Sequence, residues 1–63
     1  MQKAIELIKK LLKEHEEFGF CTNTLDAAQH LEYDVAIGSE KFYDAGRYET
    51  LENLLSDLEK IKG

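Results

Sequence analysis

Apolar residues recur along this chain at three- and four-residue steps almost from end to end, the spacing of helices that bury one side. Ile5, Ile8, Leu12 and His15 hold the first stripe, with Leu7, Leu11 and Phe18 widening it, which predicts a helix over about residues 2–18 that Gly19 stops. Phe20 to Thr24 reads as a connection. Thr22, Asn23 and Thr24 all suit an N-cap, and Asp26 then falls in a first turn, where negative charge is favoured. From there Ala28, Leu31, Val35, Gly38, Phe42 and Ala45 keep phase, so a second helix is expected over about residues 24–45 with Gly38 as a close-packing position. A competing division stops this helix at Gly38 and restarts it with Ser39 as N-cap; the unbroken stripe favours continuity. Gly46 is the expected stop in either case, and Tyr48, Leu51, Leu54, Leu55, Leu58 and Ile61 define a third helix over about residues 47–62. The expected fold is all-α: one domain over residues 1–63, a small antiparallel three-helix bundle running up, down and up.

Size then limits what this bundle can do alone. A chain of 63 residues buries only roughly 60% of the surface its unfolded form exposes, so a partner or a second copy would support it. Its single cysteine, Cys21, and two histidines, His15 and His30, supply neither an internal disulfide nor a metal cage. His15 stands among Glu14, Glu16 and Glu17, but adjacent helical residues point apart and His15 is in phase with the apolar stripe, as a boundary-core histidine would be. His30 and Asp34 lie one helical turn apart, and two ligands do not make a metal site. Cys21 has no neighbouring base or cation in sequence and reads as a passive, partly buried thiol. With no phosphate-cradling glycine loop, no Ser-His-Asp pattern and no Cys-x-x-Cys pair, the chain is expected to be neither an enzyme nor a cofactor protein, and no metal is expected.

Charge narrows the choice of partner. Thirteen acidic against eight basic residues give a net charge of −5, which repels phosphate backbones and attracts basic protein surfaces; a plain solubility role for the same charge stays open. A lone thiol, no signal-peptide pattern and no apolar run of membrane-spanning length point to the cytoplasm and away from a membrane.

Subtracting the second stripe leaves Asp26, His30, Tyr33, Ile37, Glu40 and Asp44 on another face of that helix. Tyr33 and Ile37 are large apolar groups ringed by carboxylates, the composition of many protein-binding patches; the alternative is that they pack against the first helix or a homodimer mate. Glu49 and Glu52 extend the negative field along the third helix. Taken together, the residues suggest an inhibitor or adaptor that docks on a basic surface of a partner protein, in the manner of small proteins that inhibit nucleic-acid enzymes by mimicking nucleic acid.

Two families share parts of this pattern. Residues 35–58, with Phe42-Tyr43, Gly46-Arg47-Tyr48 and the leucines that follow, resemble one tetratricopeptide hairpin, which implies two helices around a turn at Gly46 and peptide binding. Thr24-Leu25-Asp26-Ala27-Ala28, Leu31 and Gly46-Arg47 are similar to a compact helix-turn-helix of the excisionase type, which implies DNA binding. Glu40, Lys41 and Asp44 would then turn a net negative charge toward phosphates, so nucleic-acid binding is kept as an alternative, beside a self-associating structural role.

Overall fold

The computed structural model describes residues 2–62, and among them the fold is all-α: α1 (Gln2–Glu17), α2 (Thr24–Tyr33) and α3 (Val35–Lys62), with no strand. At 28 residues, α3 should run about 42 Å at the α-helical rise, and it sets the 43 Å length of a molecule 20 and 12 Å across its other axes. Both shorter helices pack on α3 and make no contact with each other, so α3 is the spine of this small bundle.

Glycine ends α1 as its position predicts. Gly19 has φ +75, the Gly19 N–H donates to the Glu16 carbonyl at 3.0 Å, and the Phe20 N–H donates to the His15 carbonyl at 3.3 Å, a Schellman closure. Of the three N-cap candidates for α2, Asn23 serves: its side-chain oxygen accepts from the Leu25 and Asp26 N–H groups at 2.8 and 3.2 Å. Glu49 of α3 adds its carboxylate to the same end, accepting from the Thr24 hydroxyl at 2.9 Å.

The expected second helix does not run to Ala45. It breaks at Asp34, one extended residue (φ −150, ψ 106) that is both the end of α2 and the start of α3. Every polar group of Asp34 that the corner needs is used. Its N–H donates to the His30 carbonyl at 2.9 Å, its carbonyl accepts from the Gly38 N–H at 2.8 Å, and its carboxylate accepts from the Ile37 N–H at 3.2 Å. The chain folds back so tightly that a Cβ on Gly38 would lie 2.5 Å from the Leu31 amide nitrogen and 2.6 Å from its Cα. Gly38 is thus a close-packing position, as expected, but between two helices rather than within one.

Gly46 does not stop a helix: α3 passes through it, and the turn implied by the tetratricopeptide resemblance is absent. Tertiary packing along the spine outweighs the roughly 1 kcal/mol that an interior glycine costs a helix. Direction changes too. Thr24 meets Glu49 and Leu31 meets Gly38, while Lys9 lies 3.8 Å from Glu59 and Tyr48 bonds Glu16, so α1 and α2 run the same way and α3 returns beside both, up, up and down. The corner also resets the apolar phase. Ala27 and Ala45 are buried where α2 and α3 meet, whereas Ala28 and Val35, both expected inside, face solvent. Ile5, Ile8 and His15 form the buried side of α1.

Candidate protein-docking face

The connection after α1 crosses beside α3 and leaves a groove of about 250 Å³, lined by Gly19, Phe20 and Cys21 on one wall and by Ile37, Glu40, Lys41 and Asp44 on the other. His15 holds the first wall. Its ring is buried (2% exposed), its Nε2 donates to the Cys21 carbonyl at 2.9 Å, and it packs on Phe20 and Tyr48 with ring centroids 5.4 and 5.1 Å away. That bond assigns the proton to Nε2 and leaves Nδ1, also buried, without a protein partner. His15 is therefore the core histidine that its phase predicts. The Phe20 contact with His15 is the apolar clasp that accompanies a Schellman closure, and Phe18 stacks beside Phe20 at 5.8 Å.

Tyr48 joins α1 and α3. Its hydroxyl donates to the Glu16 carboxylate, and this bond, with desolvation and the charges of Glu16 and Glu52, pushes the phenol up from 10.0 to about 12. The thiol of Cys21 is half-buried and donates to the Asn23 carbonyl at 3.4 Å.

The six residues expected on one face of the second helix, and Glu49 and Glu52 expected to extend its negative field, are distributed by the Asp34 corner. Ile37, Glu40 and Asp44 come together on the α3 wall of the groove. Tyr33 ends α2 and is 86% exposed, and Ile37, three residues beyond the corner at Asp34, is 50% exposed. Asp26 is exposed in the first turn of α2, and Glu52 is exposed on α3. His30 is half-buried, and its backbone carbonyl serves the corner. Glu49 leaves the face altogether, because Thr24 draws its carboxylate inward. A single helical face from Asp26 to Asp44 does not exist, since its two halves lie on antiparallel helices.

Phe20, Cys21 and Lys41 also line the groove, and sequence reasoning did not place them there. The available signal was Gly19 itself, since a Schellman closure directs the second residue after the helix back onto its last turn. No helix among the described residues is long and apolar enough to cross a membrane. In comparisons with known proteins, no family model, curated protein or solved structure matches this chain.

Proposed function

We propose that this protein is a non-enzymatic binding module, an inhibitor or adaptor whose acidic groove face docks on a basic surface of a partner protein. The observation that carries this reading is the groove wall on α3, where half-exposed Ile37 stands with Glu40 and Asp44, and the exposure of a second large apolar group, Tyr33, across the Asp34 corner at the end of α2. Large apolar anchors within a charged rim are the usual anatomy of a docking site, and the net charge of −5 favours a basic partner. Competition with nucleic acid for a basic groove is one way such a module would inhibit.

Capture from lysate with the wild-type chain and with Tyr33→Ala/Ile37→Ala tests this. The expected result is a partner that elutes with salt and is lost with the double variant while the circular dichroism of the variant is unchanged. Charge reversal at Glu40 and Asp44 should slow association with that partner at low salt. A partner retained by the double variant, or one indifferent to salt, would refute the reading.

A further inference from the structure

The spine helix has a second open side. It meets α2 through Gly38 and Glu49 and α1 through Tyr48 and Glu59. At about 100° per residue, Tyr43, Arg47, Thr50, Leu54, Asp57 and Ile61 lie on the side away from those contacts. All six are exposed, and the large apolar members Tyr43, Leu54 and Ile61 are 74, 46 and 68% exposed. Their steps of four, three, four, three and four residues are the 3.5-residue repeat of a coiled-coil seam.

We infer that this face pairs with the same face of a second copy, the two α3 helices lying antiparallel about a twofold axis near Glu52. The charges on the stripe select that arrangement. Arg47 and Asp57 are its two charged members, and among the described residues neither forms an ion pair within the chain. A parallel pair would set Arg47 against Arg47 and Asp57 against Asp57. The antiparallel register instead sets Arg47 against Asp57 of the second copy, Tyr43 against Ile61 and Thr50 against Leu54, each contact occurring twice by symmetry. Thr50 suits its layer because its hydroxyl already donates to the Gly46 carbonyl at 2.8 Å, which satisfies its donor within the helix.

The exposed area agrees with a dimer. The chain leaves 4748 Å² accessible, whereas a folded monomer of 7.2 kDa should expose about 4100 Å². Covering the excess of about 650 Å² on each of two copies would bury about 1,300 Å², within the range of stable interfaces. The stripe shares no residue with the groove wall, and the inference does not rest on the function proposed above.

Sedimentation equilibrium on the full chain, with circular dichroism on the same samples, tests the pairing. The wild type should sediment at twice 7.2 kDa. Arg47→Asp and Asp57→Arg should each weaken the dimer by roughly tenfold or more, since each turns two attractive layers repulsive. The double exchange R47D/D57R should restore it, and helicity should be unchanged throughout because both positions are exposed. A monomeric wild type, a dimer indifferent to Arg47→Asp, or a double exchange that fails to recover would overturn the inference. So would a dimer lost instead with Tyr33→Ala/Ile37→Ala, which would move the interface to the groove face.

Discussion

The two junctions that α3 makes are built from opposite materials. At the corner with α2, backbone meets backbone: Gly38 rests against Leu31, Ala27 and Ala45 are fully buried, and Asp34 supplies the hydrogen bonds. Along α1 the contact is made by side chains, with Ile5, Ile8 and His15 as filling, the Tyr48–Glu16 bond across the seam and the exposed Lys9–Glu59 pair at its far end. The corner fixes geometry and leaves no room for added volume. The seam has more buried apolar volume and depends on where protons sit.

The largest expected effect breaks the corner. Gly38→Ala should cost about 3 kcal/mol in denaturant unfolding, because the new methyl meets backbone atoms that cannot move independently. Gly46→Ala is the matched control within the same helix: nothing lies within 4 Å of a Cβ there, and removing an interior glycine should stabilise by about 0.5 to 1 kcal/mol. Equal effects at the two glycines would end the claim that the corner is tight. Next comes Asp34→Ala, expected to cost about 1 to 2 kcal/mol through the lost cap on α3, with Asp34→Asn recovering most of it.

The smallest effect belongs to the seam and emerges only at alkaline pH. Between pH 10 and about 12 the unfolded chain loses a tyrosine proton that folded Tyr48 keeps, so its contribution is intact below 10 and fades as pH rises through 12. Tyrosinate absorbance should show a late step from Tyr48, and Tyr48→Phe should remove both that step and its share of the alkaline loss of stability. A titration curve that Tyr48→Phe leaves unchanged at its alkaline end would dissolve the contrast between the junctions.

The sequence shows helices far better than it shows corners. The stop at Gly19, an N-cap among Thr22 to Thr24 and the close packing at Gly38 all follow from local chemistry. Asp34 escaped because the apolar stripe stays in phase across it, and periodicity cannot register a single extended residue that reverses direction. Gly46 misled for the opposite reason, since a local helix breaker was overruled by packing along the whole spine. Of the acidic face, Ile37, Glu40 and Asp44 were within reach because they lie on one helix within two turns. The inward turn of Glu49 toward Thr24, 25 residues away, was not, because no local pattern encodes a contact at that separation.

The one-residue corner also acts as a phase lock. Inserting a single residue between Tyr33 and Val35 would lengthen the corner, loosening the register that one extended residue imposes between Gly38 and Leu31 and with it the bearing of the groove wall and of the Tyr43 to Ile61 stripe relative to α2. The same insertion between Phe20 and Asn23, where no helix must hold its angle to the next, would be absorbed locally. Length at Asp34, more than the identity of any surface residue, thus sets which two sides of the molecule face outward.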